Sequence, residues 1–170
     1  MEQKKKQSPS IVPEQQRSLS ENLALAIKDE GARRGFSVKM RVGGGIPSQR
    51  YSFDFSAAGD GTAECKFECH LSGRKGQSEK TKLAPKDLVT LLRTFERVVK
   101  LPQEQPLFLP DTIVGILEVS DGSNLRRFYF AADAEQAKTQ GKVPPAELLR
   151  AVDAIYAVGA KLTGERRVKP

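Results

Sequence analysis

The 170-residue sequence predicts an α+β domain, an antiparallel sheet of about five strands with two amphipathic helices packed on one face. Three observations carry this. Apolar and polar residues alternate along several short runs, two longer segments place apolar residues three and four apart behind a proline, and the order strand, strand, helix occurs twice. One strand followed by two such ββα units is the simplest arrangement that buries every apolar stripe, and it raises the expectation of an internal duplication. A mixed sheet, with the second unit's strands set apart from the first, is the alternative.

Met1 to about Ser18 is polar, with only Ile11 and Val12 to bury, and is expected to be disordered. Ser20 to Glu30 reads as a short helix, with Ser20 as N-cap, Leu23, Ala24 and Ile27 on one face and Gly31 as the stop. Residues 1–35 therefore form a disordered or loosely helical leader, 36–163 a single domain, and 164–170 a basic tail. Phe36, Val38, Met40 and Val42 alternate with polar residues and predict the first strand, which runs into Gly43, Gly44 and Gly45. Three glycines in a row leave the backbone free to take positive φ angles or to protrude, with Ile46 and Pro47 at the tip.

In the first ββα unit, Tyr51, Phe53, Phe55, Cys65, Phe67, Cys69 and Leu71 fall on one side of a hairpin, and Arg50, Asp54, Glu64, Lys66, Glu68 and His70 on the other. Residues 72–82 read as a polar loop. Behind Pro85, the stripe Leu88, Leu91, Leu92, Phe95, Val98 and Val99 is wide enough to cover the apolar side of that hairpin. The second unit begins after a proline-rich crossing. Ile113 to Val119 is almost continuously apolar, which suits an internal strand; Asp121-Gly122-Ser123-Asn124 is a hairpin turn, and Leu125, Phe128 and Phe130 return. Residues 131–144 read as another polar loop, and a helix from Pro145 to about Leu162 ends at Gly164.

The net charge is +7, but it is concentrated at the ends. Residues 1–35 carry +2, residues 160–170 carry +3, and the 124 residues between them only +2. A solvated tail accounts for such a distribution without invoking a polyanion. Two cysteines make no disulfide framework: four residues along a strand separate their Cα atoms by about 13 Å, at roughly 3.3 Å per residue, whereas a bridge needs less than about 7 Å. With no apolar run long enough to span a bilayer and no signal-peptide pattern, the expectation is a soluble, cytoplasmic protein with reduced thiols.

Chemistry-bearing clusters are few. Cys65, Cys69 and His70 contain zinc-type donors, but alternation sets His70 opposite the cysteines and the chain has one histidine, so no metal site is expected. The same histidine is on the wrong side to act as base for a nucleophile. Asp54, Glu64 and Glu68 share the polar side of the hairpin, as a carboxylate pair for hydrolysis would, though interleaving with Arg50 and Lys66 equally describes a solvated face. The glycine triplet lacks the Lys-Ser or Lys-Thr and the helix N-terminus of a phosphate loop. Arg126 and Arg127 beside Phe128, Tyr129 and Phe130 mix charge and aromatics as single-strand-binding sheets do, and with Arg166 and Arg167 they form the candidate nucleic-acid contacts. No cofactor motif is present.

Three short pieces carry a resemblance: Arg41-Val42-Gly43-Gly44-Gly45-Ile46, Leu83-Ala84-Pro85-Lys86-Asp87-Leu88 and Pro144-Pro145-Ala146-Glu147-Leu148. In their order, strand into glycines, second strand, proline-led helix, central hairpin and closing helix, the sequence over Ser37 to about Leu162 resembles emfourin-type proteins, small bacterial inhibitors of thermolysin-like metalloproteases. It departs from them in its first 35 residues and in a longer hairpin and middle region. The resemblance implies a non-enzymatic domain that binds another protein, with Gly44, Gly45 and Ile46 at a protease cleft, and the candidate partner-binding residues of the loop are Gly43, Gly44, Gly45, Ile46 and Pro47. The alternative is a nucleic-acid-binding accessory protein that uses its basic ends.

Overall fold

Strand formation follows the alternation closely. In the computed structural model, which describes residues 17–46, 50–103, 105 and 111–170, an antiparallel sheet forms from β1 (Ser37–Gly44), β2 (Tyr51–Ala58), β3 (Thr62–Cys69), β4 (Arg74–Gln77), β5 (Thr81–Lys82), β6 (Ile113–Ser120) and β7 (Leu125–Ala131). The order across it is β4-β3-β2-β1-β6-β7, with β5 paired to the end of β3. β1 is the axis: Met40 stands between Phe55 of β2 and Leu117 of β6, and Val38 between Ala57 and Val119. Because side chains alternate faces, this register puts Val38, Met40, Phe53, Phe55, Leu117 and Phe128 in one buried layer.

The helices α3 (Pro85–Val98) and α5 (Ala146–Thr163) turn their stripes into the same core. Pro85 starts α3 where a missing N–H costs nothing, and Gly164, in the left-handed conformation, ends α5. Gly159 lets α5 lie directly on the sheet, since a Cβ there would come within 2.9 Å of Cys65 Sγ and of the Phe53 ring. Tyr156 tilts against Phe53, with ring centroids 4.7 Å apart.

The sheet has seven strands where about five were expected. β4 and β5 lie within the segment read as a polar loop; at the sheet's margin β4, Arg-Lys-Gly-Gln, needs no apolar alternation to pair. The second polar loop contains α4 (Ala134–Thr139), whose Asp133 cap accepts hydrogen bonds from the Glu135 and Gln136 amides at 2.9 and 3.0 Å. β2 and β6 both run antiparallel to β1 on opposite sides of it, so the two ββα units share element order but lie to its left and right with strands in the same direction. With both helices in one core, no rotation carries one unit onto the other.

Two boundaries move. The N-terminal helix starts two residues earlier than Ser20 implies: α1 (Leu19–Lys28) is capped by Ser18, whose hydroxyl accepts from the Glu21 amide while the Glu21 carboxylate reaches back. Asp29 ends it and caps α2 (Glu30–Arg33) through the Ala32 amide at 2.6 Å. Leu19, Leu23 and Ala26 are buried, so these helices belong to the core, not to a loose leader, and the domain begins before residue 36. At the other end Val168 is buried as well, so 164–170 is not a solvated tail. Residues 1–16 lie outside the described residues.

Candidate functional site

Strand direction gathers four turns at two opposite ends of the sheet. One end holds the β2–β3 and β6–β7 turns; the other holds the β1–β2 connection and the β3–β4 turn.

The β1–β2 connection begins with the predicted glycines. Gly43 and Gly44 are the last two residues of β1, and Gly44 and Gly45 take φ of +130° and +88°, where side chains are strained. At Gly44 close approach adds a second reason: a Cβ would lie 2.5 Å from the Thr112 carbonyl oxygen at the start of β6. The glycines thus turn the chain against its neighbour. Ile46 follows with 41% of its surface exposed; Pro47, the last of the predicted contact residues, lies outside the described residues.

Beside this corner is a residue that the alternation misplaced. Leu71 was expected on the buried side of the hairpin, but β3 ends at Cys69 and Leu71 sits in the turn, 72% exposed. The Ser72-Gly73 pair that follows it is the local sign of a turn beginning, with Gly73 at φ +61°. The His70 amide donates to the Arg50 carbonyl at 2.9 Å, which ties the β3–β4 turn to the β1–β2 connection. Two large apolar side chains therefore stand in water on two linked turns at one end of the sheet.

The other predicted residues do not assemble. Arg126 and Arg127 are on β7 at one margin, while Arg166 and Arg167 are beside β4 at the opposite one, where the Arg74 guanidinium donates to the Arg167 carbonyl. Arg126 donates to the Leu101 carbonyl and lies over the Phe128 ring, and Arg127 pairs with Glu118 at 2.6 Å, which raises its pKa. Five strand spacings of about 4.8 Å put the two arginine pairs on the order of 24 Å apart.

The open face of the sheet carries a shallow hollow of about 350 Å³ lined by Lys39, Arg41, Asp54, Glu64, Lys66 and Glu118. Glu64 pairs with Lys66 at 2.9 Å, and Glu68 is drawn instead to His70 at 3.2 Å, so the three carboxylates proposed from sequence do not converge. Among the described residues no group of three or more His, Cys, Asp or Glu could hold a metal. Burial, then the nearby Asp54, pushes the Cys65 thiol up to about 12, while a hydrogen bond with Ser72 lowers that of half-buried Cys69. No helix among the described residues is long and apolar enough to cross a membrane.

No family model matches the sequence, and a search of curated proteins found no match to it.

Proposed function

We propose that this chain is a non-enzymatic protein-binding domain whose contact surface is the end of the sheet formed by Gly43, Gly44, Gly45, Ile46 and the turn at Leu71. The observation that supports it is the exposure of Ile46 and Leu71 on turns whose backbone is held, Gly44 against Thr112 and His70 against Arg50. Exposed apolar side chains on a preorganised backbone lose little entropy on binding, so more of the contact energy they gain remains as affinity.

The resemblance to emfourin-type inhibitors supplies the class of partner, a thermolysin-like metalloprotease. The test is residual thermolysin activity against rising concentrations of the full chain. Inhibition that the double variant Ile46→Asp/Leu71→Asp abolishes, with thermal stability within about 0.5 kcal/mol of wild type, supports the reading. Inhibition by both chains alike would move the contact elsewhere, and no inhibition would remove the protease as partner.

A further inference from the structure

After Gly164, at φ +70°, the chain reverses and residues 165–170 run back beside α5 and the β4 margin. Side chains alone seat them. The Arg74 guanidinium donates to the Arg167 carbonyl, and the Tyr51 hydroxyl to the Val168 carbonyl. The Val168 side chain is 2% exposed within the core, and the Lys169 ammonium meets Asp153 of α5 at 2.7 Å. Gly76 of β4 makes room first for the Phe67 ring, 2.4 Å from where a Cβ would lie, and then for the Glu165 side chain, whose Cγ would be 3.1 Å away. Among the described residues no backbone-to-backbone hydrogen bond joins 165–170 to the rest of the chain.

A segment integral to a fold is ordinarily knitted in through its own amides. Here two consecutive carbonyls are read by fixed donors, one aliphatic side chain fills a socket, and one cation meets a carboxylate, the way an extended peptide is recognised. Every reading group belongs to β2, β4 or α5 and remains when the segment leaves. Burial, then the neighbouring Tyr156, raises the pKa of the Tyr51 hydroxyl, so it stays a donor at any physiological pH.

We infer that the channel between α5 and β4 is a peptide-binding site that residues 165–170 close in cis. Its ligand in trans is an extended segment of another protein carrying a β-branched aliphatic residue followed by a lysine. The aliphatic preference follows from the socket, and the lysine adds a weaker one because its pair with Asp153 is solvent-exposed; the residue before the aliphatic one is free, because Arg167 contributes its carbonyl and its side chain is exposed. A tethered segment competes at millimolar effective concentration, so an outside peptide enters only when the cis contact is weakened.

The test uses full-length Val168→Asp and the synthetic peptide Glu-Arg-Arg-Val-Lys-Pro, followed by NMR shifts of the Tyr51 and Arg74 signals and by thermal unfolding. The variant is expected to bind saturably and to be stabilised by the peptide, at least about tenfold more tightly than wild type. A peptide with aspartate for valine is expected not to bind. Lys169→Glu, which keeps the valine socket filled, serves as a milder release and is expected to bind with intermediate affinity. Variants that stay folded without saturable shifts, that bind no better than wild type, or that remain unfolded in millimolar peptide would overturn the proposal. The double variant Ile46→Asp/Leu71→Asp keeps this channel, so failure at the corner and failure here are separate results.

Discussion

The two ends of the sheet are built to opposite rules. At the β2–β3 and β6–β7 end, α1 and α2 close over the turns. The Gly59 amide donates to the Phe36 carbonyl at 2.7 Å, and Asn22 of α1 donates to Asp121 at 2.7 Å. Asp121 also accepts from the Ser123 and Asn124 amides, at 2.9 and 2.6 Å. At the β1–β2 and β3–β4 end, one backbone bond links the turns and two large aliphatic side chains face water. The first end spends its polar groups on itself, with Leu125 at the start of β7 its one large apolar side chain in the turns left 45% exposed among the described residues. The second joins its turns through the His70 amide and the Arg50 carbonyl and leaves Ile46 and Leu71 exposed.

If that contrast is right, substitutions at the closed end act on stability first. Gly59→Ala has the largest expected effect, because the new Cβ would lie 1.6 Å from the Arg33 carbonyl oxygen and backbone must move on both sides. A loss of at least about 3 kcal/mol in denaturant unfolding is expected. A loss under about 1 kcal/mol would mean that the α2 junction is loose and the two ends are not so different.

Gly44→Ala comes next and sharpens the contrast at the other end. Its φ of +130° and the approach of Thr112 make alanine cost about 1–3 kcal/mol, read as a lower melting temperature. Partner binding is expected to fall with it, since the anchor at Ile46 loses its fixed base. Unchanged stability would show the corner to be adaptable.

Asp121→Ala is the smallest of the three, about 1–2 kcal/mol for the lost turn and Asn22 hydrogen bonds. Burial raises the Asp121 pKa, but hydrogen bonds from Asn124 and Asn22 outweigh it and the net shift is downward. A carboxyl depressed in the folded state contributes stability above its unfolded pKa, near 3.9, and loses it as pH falls through the lower folded value. Wild type is therefore expected to lose stability below about pH 4 more steeply than Asp121→Ala. Parallel acid-unfolding curves would take Asp121 out of the closed end's hydrogen bonding.

Most of the sheet was legible because period-two alternation survives wherever one face is covered: β1, β2, β3, β6 and β7 each appear within a few residues of their predicted ends. β4 and α4 were not, since a four-residue margin strand and a six-residue helix with one buried alanine bury too little to leave a periodic trace. Leu71 was misread for the converse reason. Alternation continued one step past the strand, and hydrophobicity alone does not say where pairing stops. Val168, a lone aliphatic residue among four charges, gave no periodic signal at all.

Local chemistry, then, determined which residues alternate, where helices start behind proline and stop at glycine, and that one α+β core buries them. Which turns share an end, that the arginine pairs stand at opposite margins, and that Val168 folds back beneath Tyr51 were decided by strand order and by the path after Gly164. Those depend on contacts between residues far apart in the chain, and the free energy that selects them is collective, so no single stretch of sequence carries it.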